Sequence, residues 1–445
     1  MDTRKPGVYV TEQSSGVRTI VGVGTSTPAF LGYTEVPSTD AKEQSTSPFD
    51  ANERVVPQRI RGWQEFADRY GIATSGAELA VLLNKQSDNQ DLTPAELKRI
   101  QVLQRCFTLA EAVYGFFANG GTSCYVVGFL NPDQTVTSKV LAGDTDKRTG
   151  LGGLETVPDV TMIAVPSLWD MTVAATESAT PPQPDLPTGK KLIDKMLAHC
   201  TKQRNRLALV DAPPGQSVDT LKQFVDTLAS PDTDEAAFTA LYYPWVKVPG
   251  VDGVSRTVPP SGHLAGVWAR TDTERGVFKA PANQNLRGVL ELTTTLTDDQ
   301  HGDLNAKGVN CLRTFPDRGL LVWGARTRSS SRDWRYLNVR RLVSFLSDSI
   351  QQSTTWAVFE PNDDRLWATL RHSVTSFLTD QWRQGALMGR TPDEAFYVIC
   401  DSTNNTQATI DAGQVVCDIG VAPVRPAEFV QFTITQLADQ PGGNG

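Results

Sequence analysis

The residues best able to do chemistry in this sequence stand apart from one another. A phosphate-cradling loop needs a glycine, four residues, then Gly-Lys and a hydroxyl that reaches the metal. Thr188-Gly189-Lys190-Lys191 carries Pro184 where the first glycine belongs and a lysine where the hydroxyl belongs. Gly22-Val23-Gly24 starts a dinucleotide fingerprint but lacks its third glycine. Gly121-Thr122-Ser123-Cys124-Tyr125 is one glycine short of a nucleophile elbow. His199, His263, His301 and His372 are scattered singly, without the HExxH spacing of a zinc helix, and read as structural residues. Cys106, Cys124, Cys200, Cys311, Cys400 and Cys417 form no CxxC pair, and most lie among apolar neighbours, so they read as reduced structural thiols. Asn404-Asn405-Thr406 is a formal glycosylation sequon that has meaning only in a secreted chain. The sequence therefore nominates no catalytic, cofactor-binding or metal residue. Serine, histidine and aspartate distant in sequence can still converge, so a hydrolase on an α/β scaffold stays open as the alternative from another class.

A chain of 445 residues exceeds one ordinary core and implies two or more domains. Hydrophobic residues at 39% and charged residues at 21% are globular proportions. A net charge of -8 disfavours general nucleic-acid binding, since phosphates are repelled. The N-terminus, MDTRKPGVYVTE, has no apolar signal region, and no run approaches a membrane span. The expectation is folding in the cytoplasm, without membrane insertion.

The elements that would carry any site follow from periodicity. Trp63–Gly71 reads as a short helix stopped by glycine. Thr93-Pro94-Ala95-Glu96 is a capping box, after which Leu97, Ile100, Leu103, Phe107, Ala110, Tyr114 and Phe117 recur at helical spacing. Further helices are expected over Gly189–Gln203, Trp334–Ile350 (Tyr336, Val339, Val343, Leu346 and Ile350 as its buried seam) and Asp364–Gln384. Strands are expected over Pro6–Glu12, Val17–Gly24, Cys124–Leu130, Val160–Val165, Leu207–Val210, Ala240–Val248, Phe396–Cys400 and Phe429–Leu437. The long stretch Val258–Thr327, dense in Gly and Pro, reads as short buried strands joined by shaped loops. Glu35–Pro57 is polar and reads as a loop or insertion. The fold class is mixed α/β (α+β): several domains, mixed sheets flanked by helices, and extended strand arms at both ends.

Several phrases of the sequence carry a resemblance. They are GV-x-TS-x-x-AF-x-G (Gly22 to Gly32), the Gly/Pro-rich Val258–Thr327, WRYLNVRRL (Trp334 to Leu342), VFEPND (Val358 to Asp363), QGALMG (Gln384 to Gly389) and GVAPVRPAEFV (Gly420 to Val430). Together they resemble contractile tail sheath proteins of phage tails, pyocin-like particles and bacterial contractile injection systems. That resemblance implies a helical homopolymer around an inner tube protein, contacting baseplate and cap proteins and, in some machines, sister sheath subunits. It implies no cofactor, and a particle assembled in the cytoplasm and released by lysis. Its expected division is an arm at 1–24, an N-terminal and middle α/β region at 25–280 that is the outer part and contributes partly to the inner core, a tube-facing core at 281–424 and an arm at 425–445. A tube or baseplate component of the same machine is the structural alternative.

Terminal strands either fold back or add to a neighbour's sheet edge. The resemblance implies the second, with arms at Gly7, Val8, Tyr9, Val10 and Glu12 and at Phe429, Val430, Phe432 and Ile434 completing a sheet shared between subunits. Charge is also uneven. Arg313, Arg318, Arg326, Arg328, Arg332, Arg335, Arg340 and Arg341 face only Asp317 and Asp333, whereas the segment after Asp393 is acidic. Two explanations stand: pairing between subunits or with the tube, or a basic face with internal salt bridges. The resemblance makes the Trp334–Ile350 helix a tube-contact candidate, with Arg335 and Arg340 as its residues.

Overall fold

A computed structural model describes residues 19–35, 55–88 and 91–429. Its longest helix begins where the capping box requires. The Thr93 hydroxyl accepts the Glu96 backbone N–H at 3.3 Å, and the Glu96 carboxylate accepts the Thr93 N–H at 2.9 Å. Pro94 then opens the helix, whose first N–H is an orphan in any case. Among the described residues three helices lie between β2 (Gln58–Ile60) and β3 (Cys124–Phe129): α1 (Trp63–Tyr70), α2 (Ile72–Ser87) and α3 (Pro94–Ala118). The sequence reading passes over α2 because it stops at Gly71. That left-handed glycine caps α1 and in the same position starts α2, whose Leu79 and Leu82 are buried.

The main sheet has nine strands in the order β2-β3-β1-β4-β5-β6-β11-β12-β9. β1 (Pro28–Tyr33), β3 (Cys124–Phe129), β4 (Met162–Ala164), β5 (Leu207–Asp211), β6 (Thr239–Tyr243) and β11 (Val309–Phe315) run parallel. β2 (Gln58–Ile60) closes one side antiparallel; β12 (Gly319–Trp323) and β9 (Gln284–Asn285) close the other. The central strands β1, β4, β5 and β6 are buried along their whole length because both faces are covered, which is why they read as short, mostly apolar runs. Helix α4 (Leu186–Gln203), capped by Asp185, leads into β5. Ala240–Val248, expected as one strand, is two. Pro244 cannot donate to a ladder, and beyond it β7 (Val246–Val248) joins a second sheet with β8 (Arg256–Val258) and β10 (Glu291–Leu292).

The reading of Val258–Thr327 as strands and loops holds where β9 to β12 lie, apart from a helix at Asp298–Ala306 between them, and fails in its first part. Ser261–Arg275 is a helix, here α5, buried on every side from Ser261 to Thr271. A helix with no wet face shows no amphipathic period, so periodicity could not find it. Its position depends on glycines. A Cβ on Gly262 would stand 2.3 Å from the Ala112 Cα, and one on Gly266 would stand 2.4 Å from the Phe116 carbonyl oxygen. From the facing helix, a Cβ on Gly115 would stand 2.5 Å from the His263 ring. Helices α3 and α5 thus approach more closely than side chains allow, and both rest on the strands of the main sheet.

After β12 the chain builds a second, smaller core. Helices α6 (Leu337–Ser353) and α7 (Asp364–Arg383) cover a two-stranded sheet of β13 (Phe396–Ile399) and β14 (Asp418–Val421). Leu342, Leu346, Val374, Phe377, Leu378 and Phe396 are its centre, and Ile20 joins it from the start of the chain. The expected boundary at 280/281 does not follow this division, because β9, β11 and β12 belong to the main sheet. Leu337 packs in the first core and Leu342 in the second, so α6 crosses between them. Of its expected seam Val339 and Leu346 are buried, while Tyr336, Val343 and Ile350 are only half-buried and Leu342 and Ser349 are buried beside them.

Two outcomes are expected from this packing. Gly262→Val should destabilise by roughly 3 kcal/mol or more, because its methyls meet backbone rather than a movable side chain; thermal unfolding measures it. Asp211, at the end of β5, accepts the Ser261 N–H at 2.9 Å with one oxygen, and its other oxygen has no partner. Burial pushes its carboxyl up to about 7. The folded state then holds the proton more tightly than the unfolded chain, so stability falls as pH rises from about 4 to 7. Asp211→Asn keeps the acceptor and should gain roughly 2–4 kcal/mol over the parent at pH 8 and little at pH 4, read by denaturant titration at both.

Candidate assembly interface

One helix holds both ends of the described chain. On α6, Arg341, Phe345, Ser349 and Ser353 recur every four residues and form a single stripe. Residues 20–25 run along this stripe in the opposite direction. The Val21 N–H donates to the Ser353 hydroxyl at 3.2 Å, the Val23 N–H to the Ser349 hydroxyl at 3.1 Å, and Arg341 Nη2 donates to the Thr25 carbonyl at 3.2 Å. Gly22 leaves room for the Phe345 ring, 3.0 Å from where a Cβ would sit. The expected strand over Val17–Gly24 is therefore corrected for its described part. Ile20 is buried and Val21 is 71% exposed, a strand-like alternation, but the partner is a helix whose side chains take the backbone N–H groups.

At the far end of this stripe lies a buried ion pair. Arg341 and Asp272, from the last turn of α5, are each only 4% exposed. Arg341 donates through Nη1 to Oδ1 at 2.9 Å and through Nη2 to Oδ2, and its guanidinium lies over the Trp268 ring at 4.7 Å. The hydroxyls of Thr25 and Ser26 donate to Asp272 Oδ2 at 2.7 and 2.9 Å. The carboxylate thus has four donors, enough to offset the desolvation that makes most buried pairs unfavourable.

The other end of the chain is fixed at the opposite end of α6. Asn338 donates to the Phe278 and Val424 carbonyls at 2.8 and 2.9 Å. Glu428 accepts from Arg326 at 2.6 Å, from Asn305 at 3.0 Å and from the Tyr336 hydroxyl at 3.3 Å. Burial acts to raise the Glu428 carboxyl, but the Arg326 and Asn305 hydrogen bonds prevail and hold it below the usual range. Phe429 follows at 78% exposure. Of the expected arm residues, Gly7, Val8, Tyr9, Val10, Glu12, Val430, Phe432 and Ile434 lie outside the described residues.

Beside these roots is the β13–β14 sheet. Its ladder runs from Phe396 opposite Val421 to Ile399 opposite Asp418, and among the described residues no third strand joins it. Tyr397 and Ile399 project from it to 57% and 39% exposure. An apolar groove floored by Ile350, Leu366, Leu370 and Val374 runs between Ile419 and the exposed Val358-Phe359.

The arginine block turns out to serve mostly the inside of the subunit. Arg313 pairs with Asp298, Arg326 with Glu428 and Arg341 with Asp272. Arg328 donates to the Lys307 and Val225 carbonyls. Arg340, expected to face a tube, is buried between the Phe238 and Trp334 rings, 4.7 and 4.2 Å from their centres. Arg335 is the one of the two that reaches the surface, with a 3.4 Å hydrogen bond to the Ser330 carbonyl. Among the described residues, no histidine is hydrogen-bonded to a serine, a cysteine or a carboxylate. No group of three potential metal ligands occurs among them, and no helix of theirs is long and apolar enough to cross a membrane.

Comparison with known proteins agrees with this geometry. Residues 185–328 match the model of the phage tail sheath protein central domain, and residues 329–436 match that of the phage tail sheath C-terminal domain. The tail sheath protein of Vibrio phage KVP40 is 28% identical over 180 residues, 40% of this chain and 26% of that protein. The tail sheath protein of Burkholderia phage BcepMu is 28% identical over 264 residues, so these curated relatives are matched over about half of their own length or less. The helical sheath of the anti-feeding prophage in its contracted state is 28% identical, with a TM-score of 0.68, over 98% of this chain and 99% of that one.

The ion pair makes a direct prediction. Arg341→Met leaves Asp272 buried without its cation and should cost about 3–5 kcal/mol in urea unfolding, whereas adding Asp272→Leu should recover most of that loss.

Proposed function

The chain belongs to the phage tail sheath family, and on that premise we propose that its copies stack as a helical tube around an inner tube protein and contract to drive that tube through a target envelope. The observation that carries this reading is α6, which holds both ends of the described chain while spanning both cores. A load applied at either arm would pass through it to the whole body. The structural likeness to a contracted sheath along nearly the full chain supports the same reading.

In this account the arm Gly7–Glu12 of one neighbour and the arm Phe429–Gln436 of another add to the free edges of β13–β14. Main-chain hydrogen bonds hold such a joint while the bodies turn, since they depend on the backbone rather than on one fixed side-chain packing. Baseplate and cap proteins bound the tube, and sister subunits share it in machines that use more than one sheath protein. Arg335 is the tube-contact candidate. Assembly in the cytoplasm and release by lysis follow from this role. The work comes from a metastable lattice, to which each subunit adds a small difference between two packings, so the subunit acts as a structural part rather than a catalyst.

Expressed alone, the protein should form hollow, striated tubes of uniform width in negative-stain electron microscopy, and deleting Met1 to Gly16 should abolish them. Discrete particles that persist with tube and baseplate partners present would overturn the reading.

A further inference from the structure

The ladder of β13–β14 ends at Ile399 opposite Asp418, so Cys400 and Cys417 stand opposite each other one step beyond its last pair. Opposed residues of an antiparallel pair share a face, with Cα atoms about 4.5–5.5 Å apart. Disulfides span about 4.4–6.8 Å between the same atoms. Both residues are free thiols here, packed together beside Leu366, Trp367 and Leu370. Cys400 is buried, whereas Cys417 is half-buried and lines the groove beside Val358 and Phe359. The other four cysteines are each buried elsewhere, and burial pushes Cys200 and Cys311 up to about 12.

We propose that Cys400 and Cys417 form an intramolecular disulfide when the subunit meets an oxidising environment, stapling the two strands together. Its consequence for assembly rests on the reading of β13–β14 as the sheet that receives neighbouring arms. The oxidant is a small-molecule disulfide such as oxidised glutathione. Cys417, reachable from the groove, gives up its proton and attacks one sulfur of the oxidant, and the other sulfur leaves as a thiolate that takes up a proton. Cys400 then gives up its proton and attacks the Cys417 sulfur of the mixed disulfide, releasing the second small thiol. Two protein thiols and one small disulfide become one protein disulfide and two small thiols, with two electrons passing to the oxidant. The staple closes a short loop in a two-stranded sheet, the kind of element that is marginal without added support.

The test exposes the folded full-length chain to oxidised glutathione, blocks the remaining thiols, and maps the peptides by mass spectrometry. The expected result is loss of two free thiols, one linked peptide pair containing Cys400 and Cys417, reversal by dithiothreitol, and an upward shift of the thermal midpoint that Cys417→Ser does not show. Six thiols that stay free, or glutathione that stays attached to Cys417, would overturn the proposal. The same treatment of assembled tubes separates the two ideas. Oxidised tubes should resist urea further than reduced ones. If the link forms and both dissociate at the same urea concentration, the disulfide stands and the strand-acceptor reading falls.

Discussion

The Asp272–Arg341 pair is the constraint on which the rest of the arrangement depends. Two charges this deeply buried are unfavourable unless every lone pair and proton finds a partner, and here the partners come from three distant parts of the chain. Asp272 belongs to α5, which glycines lock against α3 and the main sheet. Arg341 belongs to α6, which enters the second core one residue later at Leu342. Thr25 and Ser26 belong to the segment that links the N-terminal region to β1. Satisfying one carboxylate therefore fixes the position of the first core, the second core and the root of the N-terminal arm relative to one another.

From that point α6 works as a strut. Its far end holds the N-terminal root through Ser349 and Ser353, and its near end holds the C-terminal root through Asn338 and Tyr336. A subunit that moves within a lattice has to keep its own body rigid while its connections to neighbours bend. A helix that ties both roots to both cores supplies the rigidity, and backbone pairing at the free edges of β13–β14 would supply the compliant joint. On the proposed function, such a division of labour would give the inward-pointing arginine block a role. Guanidinium forks that bind carbonyls and carboxylates of the same chain stiffen the body that the joints must move.

Much of this was legible in the sequence, and what was not has physical causes. Thr93, Pro94 and Glu96 mark the start of α3 because capping is local chemistry. The central strands stand out because a strand covered on both faces is a short apolar run between turns. Helix α5 was hidden for the opposite reason: buried all round, it has no polar face to mark its turns, and Gly262 and Gly266 look like loop punctuation when they are packing surface. The alternation around Ile20 and Val21 was real, yet alternation reports one buried face without saying whether a strand or a helix covers it. Composition revealed that Arg313–Arg341 is basic, but only the fold could tell that Arg340 lies between two aromatic rings while Arg335 reaches the surface. The tail sheath resemblance was carried by whole phrases such as WRYLNVRRL, which contains Tyr336, Asn338 and Arg341 at the start of the strut helix.

The measurement that reaches the central claim most directly is a cryo-electron microscopy map of assembled tubes, in both lengths, that resolves the ends of the chain. The account predicts β13–β14 extended by residues 7–12 of one neighbour and 429–436 of another, with residues 20–25 still lying along α6 and Asp272 still paired to Arg341 in both states. Arms that fold back onto their own subunit, or a strut that releases residues 20–25 on contraction, would contradict it.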